Sequence, residues 1–373
     1  MNTLTGAILT PRGWIQGALH WEGKTLLGIE GNPVEEHAIQ PPYIIPGFID
    51  LHVHGGGGRD VMEGGDALET IAKTHAQHGT TTLLATTMTA SHADILNALE
   101  GIAAFRRQQS ESSSSGTIST ADVIGVHLEG PYINPNKLGA QPDATRVCTI
   151  EELQQYQHLA PLKVITLAPE CLQDNGALEW LLTQDVRVQA GHTLADHDTA
   201  EHFYHAGVTG FTHLYNAMTP FSHREPGILG FALANAEYAE VIPDLEHVHK
   251  GALNVAFRAI PKLYAITDGT AACGMPDGEY RLGTQQVYKQ GRCVRLANGA
   301  LAGSTLTLDQ AVRNLVSIGR SLADASARVA TIPAQYLGLE DRGQLREGYR
   351  ADMVVLDENL DLQQTFSAGQ AVL

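Results

Sequence analysis

Cysteine is scarce in this chain. There are four, Cys148, Cys171, Cys273 and Cys293, and none stands in a CxxC or comparable spacing. That excludes a disulfide framework or a thiolate zinc cluster, and reads as isolated reduced thiols of a cytosolic protein. Positive charge is also short: 24 Lys and Arg face 41 Asp and Glu, a formal charge of −17. Neither nucleic acid nor an anionic membrane is expected as a general partner. No apolar run reaches 18 residues, and the opening Met1-Asn2-Thr3-Leu4-Thr5-Gly6 has neither a basic n-region nor a long apolar h-region. No membrane span and no secretory signal are expected, so the cytoplasm is the default location. No repeat of solenoid period is visible.

What is present is a soluble, turn-rich α/β composition: 373 residues, 43% apolar, with 38 glycines. Short apolar runs alternate with helical patterns along most of the chain. Strands are expected at 44–54, 80–87, 123–129, 163–168, 186–192, 208–213, 241–247 and 263–268. Eight such runs predict a (β/α)8 barrel. Between them, 66–77 carries Leu68, Ile71, Ala72 and His75 at helical spacing, and 93–105 carries Ile95, Leu96, Leu99 and Ile102. The polar stretch 108–117, with Ser112-Ser113-Ser114-Ser115-Gly116, cannot pack a core and is expected to be a solvated loop. Residues 1–45 and 345–373 have a different texture, short strand-like runs such as 25–29 and 353–356 without helical period. The expected organisation is therefore a catalytic barrel over 46–344 and a small β-sandwich domain built from both chain ends, 1–45 and 345–373.

Barrel enzymes place their chemistry at the C-terminal ends of the strands. His52 and His54 end the first expected run, Glu129 the third, His192 the fifth, His213 the sixth and Asp268 the eighth. Residues two apart on a strand point the same way, so His52 and His54 can meet one metal ion. Taken singly, Glu129 could cap a helix, either later histidine could be a satisfied core residue, and Asp268 before Gly269 could be a turn. Six ligand-type residues at strand ends together point to a metal-dependent hydrolase.

The run Pro46-Gly47-Phe48-Ile49-Asp50-Leu51-His52-Val53-His54-Gly55 resembles the first strand of the amidohydrolase superfamily, and Gly348-Tyr349-Arg350-Ala351-Asp352-Met353-Val354-Val355-Leu356-Asp357 resembles its return into the β-domain. Longer motifs are similar to those of N-acetylglucosamine-6-phosphate deacetylases and their N-acetylgalactosamine-6-phosphate relatives: His127-Leu128-Glu129-Gly130-Pro131-Tyr132 with Asn134-Pro135-Asn136-Lys137, Leu167-Ala168-Pro169-Glu170, Ala190-Gly191-His192-Thr193, Thr212-His213-Leu214-Tyr215-Asn216-Ala217-Met218, His223-Arg224-Glu225-Pro226-Gly227 and Leu301-Ala302-Gly303-Ser304-Thr305.

The resemblance implies that Glu129, His192 and His213 hold a principal metal, with a second ion open to His52 and His54 under a bridging Glu129. Zn2+ best suits such donors, while Fe2+ or another divalent ion remains open. It implies Asp268 as the proton carrier in deacetylation of an N-acetylhexosamine 6-phosphate. Substrate contacts are implied at Ala140, Gln141, Asn216, Ala217, Arg224, His247, Leu301, Ala302 and Gly303, in a homodimer. Two departures stand out. Gln141 occupies a place where the family usually has histidine, and Leu245-Glu246 replaces a glycine-containing segment before His247. They keep an alternative in view, the same machinery acting on a different N-acyl or cyclic amide substrate.

Overall fold

The computed structural model describes residues 1–115, 120–173 and 175–372. Within them, parallel strands Phe48–Val53, Thr80–Thr87, Asp122–Glu129, Leu162–Leu167, Arg187–Ala190, Val208–Phe211, Tyr238–Val241 and Lys262–Ala265 surround an apolar core. The first six lie side by side in one sheet, and the last two pair with each other. Backbone bonds close the ring. Leu214 N–H donates to the Glu240 carbonyl at 2.8 Å, joining the sixth strand to the seventh. Asp268 N–H donates to the His52 carbonyl at 3.0 Å, and the N–H groups of His54 and Gly55 reach the Gly269 carbonyl, joining the eighth to the first. The fold is a (β/α)8 barrel.

Helices cover the outside because their apolar residues recur at helical spacing. Ala67–Ala76 buries Leu68, Ile71, Ala72 and His75. Side-chain caps start others: Thr149 accepts the Glu152 N–H at the head of Ile150–Leu159, and Asp196 accepts the Thr199 N–H at the head of His197–Ala206.

Four local expectations are revised. The run 44–54 divides at Gly47 into Tyr43–Pro46, which pairs outside the barrel, and the first barrel strand. The seventh strand is Tyr238–Val241, earlier than the apolar pattern indicated. After it Pro243 cannot donate to a ladder, and Asp244 Oδ1 accepts the N–H groups of Glu246 and His247, which makes 244–247 a turn. The polar stretch from 108 is helical as far as Ser115, since His92–Ser115 forms one helix. The Gln109 side chain anchors it, donating to the Ala121 carbonyl and accepting from the Val123 N–H. The rest of that stretch, 116–117, lies outside the described residues. Finally, a four-stranded antiparallel sheet, Gly278–Leu282, Gln285–Gln290, Cys293–Leu296 and Leu301–Ser304, is inserted after the eighth barrel strand, where no element was expected.

Both chain ends build a second, seven-stranded sheet, in which Tyr43–Pro46 lies between Asn2–Thr10 and Met353–Leu356. The sheet folds back on itself. Trp21 from the N-terminal wing meets Phe366 from the C-terminal wing edge to face at 5.3 Å, and its indole N–H donates to the Gly369 carbonyl. Ile8, Leu19, Leu26, Ile44 and Met353 fill the space between the wings. Among the described residues no helix is long and apolar enough to cross a membrane.

Candidate functional site

The barrel mouth gathers the strand-end residues. Three of them, His192, His213 and Asp268, have positive φ angles of 48°, 29° and 51°. Non-glycine residues avoid this region, and where they adopt it the strain commonly accompanies function. Here it turns each side chain off the end of its strand and in toward the barrel axis.

Glu129 is the hub. Its Oε1 is 3.2 Å from Nε2 of both His192 and His213 and 3.5 Å from Nε2 of His52, and its Oε2 is 3.1 Å from Nε2 of His54. Asp268 Oδ1 lies 3.2 Å from His54 Nε2 and 3.5 Å from His52 Nε2. All of these groups are at least nine-tenths buried.

Three imidazoles are held so that Nδ1–H is already committed. His52 donates to Glu240 Oε1 at 2.7 Å, His54 to the Thr86 carbonyl at 3.2 Å and His192 to the Lys137 carbonyl at 2.8 Å. Their Nε2 lone pairs therefore face inward. His52 and His54 bring Nε2 atoms within 3.1 Å of each other, as do His192 and His213. Converging lone pairs beside two carboxylates repel one another unless a positive charge lies between them. Two nitrogens bound tetrahedrally to one ion stand about 3.4 Å apart, so the donor set fits a divalent metal in both spacing and chemistry.

Protons are the other way to satisfy such a cluster, and the charges around it favour them. Burial alone would lower the basicity of His52, yet the charges of Glu129 and Glu240 hold it well above the ordinary imidazole value. Burial is likewise outweighed at His54, which Asp268 and Glu129 push up to about 9. Glu129 stays well below the usual carboxylate range because His52, His192 and His213 overcome the cost of burying its charge. Asp268 is lowered in the same way, by His54 and His52. A metal ion would displace the imidazole protons on binding. A third grouping, His52 with His127 and Glu240, offers no such site. There His127 is spent on the Leu51 carbonyl and the Thr166 hydroxyl, and burial pulls its pKa down to about 4.

A cleft opens beside the hub. Glu129, His54, His192, His213 and Asp268 form its floor, and Gly139, Ala140, Gln141, Asn216, Ala217, His247, Leu301 and Gly303 line its sides, with Met88, Ile242 and Leu282. His247 reaches it from the turn after the seventh strand, its ring fixed by Asp244 at 2.6 Å. Burial disfavours the charged ring, but that carboxylate raises its pKa above the ordinary value.

Two expected contacts are placed elsewhere. Ala302 does not line the cleft: it is fully buried in a cluster with Met88, Leu282, Val287 and Val294, while its strand neighbours Leu301 and Gly303 face the opening. Arg224 is exposed and does not line the cleft of the single chain.

Several participants were not anticipated. Glu240, fully buried on the seventh strand, accepts from His52 Nδ1 and from the His213 N–H. An acidic residue within Tyr238-Ala239-Glu240-Val241 would have marked it once the strand was placed correctly. Asp50, pushed up to about 7 by burial against the opposing pull of Thr267 and His52, binds the Thr267 hydroxyl at 2.6 Å one residue before Asp268. Glu170, in the Leu-Ala-Pro-Glu motif, accepts from Asn134, Thr193 and the Leu194 N–H and so ties together the loops that follow three strands.

Comparison with known proteins places the chain in one family. Residues 43–372 match the amidohydrolase family. The chain is 39% identical over 336 residues to N-acetylglucosamine-6-phosphate deacetylase of Lysinibacillus sphaericus, covering 88% of this chain and 85% of that one. It is 38% identical over 374 residues to N-acetylgalactosamine-6-phosphate deacetylase of Escherichia coli O157:H7, covering 97% of each. The crystal structure of the Thermotoga maritima N-acetylglucosamine-6-phosphate deacetylase superposes with a TM-score of 0.89 at 31% identity, over 100% of this chain and 99% of that one. A mutant of the Mycobacterium smegmatis enzyme in complex with N-acetyl-D-glucosamine-6-phosphate gives 0.87 at 30% identity, over 99% and 98% of the two chains.

Proposed function

The chain belongs to the amidohydrolase family, among its N-acetylglucosamine-6-phosphate and N-acetylgalactosamine-6-phosphate deacetylases, and on that premise we propose that it hydrolyses the acetamide of an N-acetylhexosamine 6-phosphate. The products are acetate and the amino-sugar phosphate. The observation that carries this reading is the meeting of three imidazoles and two carboxylates on the floor of one cleft, with a fourth imidazole, His52, buried against them.

Glu129, His192 and His213 would hold the principal ion, and His52 and His54 with Glu129 and Asp268 a second. Zn2+ matches these donors best, and Fe2+ satisfies the same set. Bound there, the ion supplies Lewis acidity toward the acetyl carbonyl and brings the acidity of water from a pKa of about 15.7 toward about 7. Asp268 is ionised at neutral pH and stands over the cleft floor. It takes the proton of the attacking water and returns it to the departing amine nitrogen. His54 and His52, within 3.5 Å, keep its carboxylate pointed at the reacting centre.

At the far end, Asn216, Ala217 and His247 would receive the phosphate. Arg224 would complete that end from a second copy of the chain, as a guanidinium gripping phosphate through two parallel hydrogen bonds. The reading is of a cytoplasmic homodimer, in keeping with four cysteines that form no disulfide.

The test is acetate release from N-acetylglucosamine 6-phosphate, N-acetylgalactosamine 6-phosphate and both unphosphorylated sugars, with protein of known metal content. Turnover confined to the phosphorylated sugars is expected. No release by metal-loaded protein from any of the four would overturn the proposal.

A further inference from the structure

Gln141 belongs to the loop that lines the cleft, yet both ends of its amide are turned inward. Its Oε1 accepts the Thr89 N–H at 2.7 Å. A backbone N–H can only donate, so this bond fixes the orientation of the amide. The Nε2 end then faces Glu129 Oε2, 2.5 Å away, and the residue is only 5% exposed. Every other hydrogen-bonding neighbour of the Glu129 carboxylate among the described residues is an imidazole.

The two oxygens of Glu129 have different duties, Oε1 toward His192 and His213, with His52 at 3.5 Å, and Oε2 toward His54. That division requires the carboxylate plane to be held, because the terminal torsion of glutamate is broad and easily turned. We infer that Gln141 is a positioning residue: its amide clamps the Glu129 carboxylate so that Oε1 stays on His192 and His213 while Oε2 stays on His54, and it thereby sets how tightly the cluster holds its cation. The anchor is firm, since Thr89 follows the second barrel strand, which also supplies the Thr86 carbonyl that orients His54. A residue that the family resemblance implies as a substrate contact acts here on the metal cage.

The inference rests on the proposed function for the divalent ion, but its test needs no turnover. Zn2+ dissociation constants are measured by competition with a chromophoric chelator for the wild-type chain, Gln141→Leu, Gln141→Glu and Gln141→His. Loss of such an outer partner commonly weakens metal binding about 10–100-fold, and that rise is expected for Gln141→Leu. Gln141→Glu, nearly isosteric but placing carboxylate against carboxylate, should weaken it at least as much, and provides the comparison should the leucine variant not fold. Gln141→His retains a ring N–H donor and should restore much of the affinity. At saturating Zn2+ the leucine variant should regain kcat with KM little changed. An unchanged Zn2+ affinity together with a raised KM would overturn the inference and return Gln141 to the substrate. Were the deacetylase reading itself wrong, the Zn2+ affinities would still shift while no sugar was turned over.

Discussion

Glu240 accepts the Nδ1–H of His52 across 2.7 Å with both side chains fully buried. The same carboxylate receives the His213 N–H, so one residue braces a member of each histidine pair. Glu240→Leu should release the tautomer of His52 and weaken metal binding about 10–100-fold. Glu240→Gln keeps an acceptor and should retain most of the affinity. Metal content after dialysis, measured by atomic emission, separates the two.

Asp268→Asn should leave the metal in place and lower kcat about 100- to 10,000-fold, the usual span for a lost general base or acid. Chelation should abolish the activity of the wild-type chain, and added Zn2+ should restore it. A metal-loaded Asp268→Asn protein with normal turnover would rule out the proton relay.

Arg224, exposed in the single chain, makes a prediction about assembly. Arg224→Ala should raise KM for a phosphorylated sugar about 10-fold or more, as expected when a charged hydrogen bond worth about 1.5–3 kcal/mol is lost. Mixed dimers of Arg224→Ala and Asp268→Asn chains should regain a functional site if the arginine acts across the interface. Absence of complementation in purified hybrids would place the arginine outside the neighbouring site.

Gly303 has φ +55°, and a Cβ there would stand 2.5 Å from Thr270 Cγ2 and 2.9 Å from the Asp268 carbonyl. Gly303→Ala should cost about 1–3 kcal/mol of stability by overpacking, and lower kcat by displacing the backbone that carries Asp268. Thermal unfolding and steady-state kinetics on one preparation would show whether the two losses occur together.

Asp309 provides a pH signature away from the metal cage. Burial opposes its charge, but His78, Thr307 and Arg313 hold its pKa down at about 2. A folded-state pKa below the unfolded value near 3.8 stabilises the fold above that value, and the contribution disappears as pH falls through about 4 to 2. The shift corresponds to roughly 2 kcal/mol. Asp309→Asn should be less stable than the wild-type chain at pH 7 and should converge with it toward pH 2, as read by denaturant melts at stepped pH.

The convergence of His52, His54, Glu129, His192, His213 and Asp268 was legible from the chain because each ends a recognisable β-run, and closing a barrel brings strand ends together whatever their sequence separation. Glu240 was not. Its strand begins at Tyr238, and the apolar Val241-Ile242 pair drew the expected strand onto what is in fact a turn. The inserted antiparallel sheet escaped because its strands are short and largely exposed, with weak apolar alternation. The inward turn of Gln141 depends on a hydrogen bond to Thr89, 52 residues away, which no local pattern encodes. Leu245 adopts φ +69°, the backbone conformation a glycine would take there, so the substitution noted in the sequence alters side-chain bulk at the turn without abolishing its shape.

The sheet sewn from both chain ends orders events during synthesis. Tyr43–Pro46 is made well before one of its two neighbours, Met353–Leu356. Until then that strand presents an unpaired apolar edge, the kind of surface that recruits other chains. A nascent chain stalled before residue 353 would carry the complete set of metal-cage residues and still lack the seam that closes the molecule.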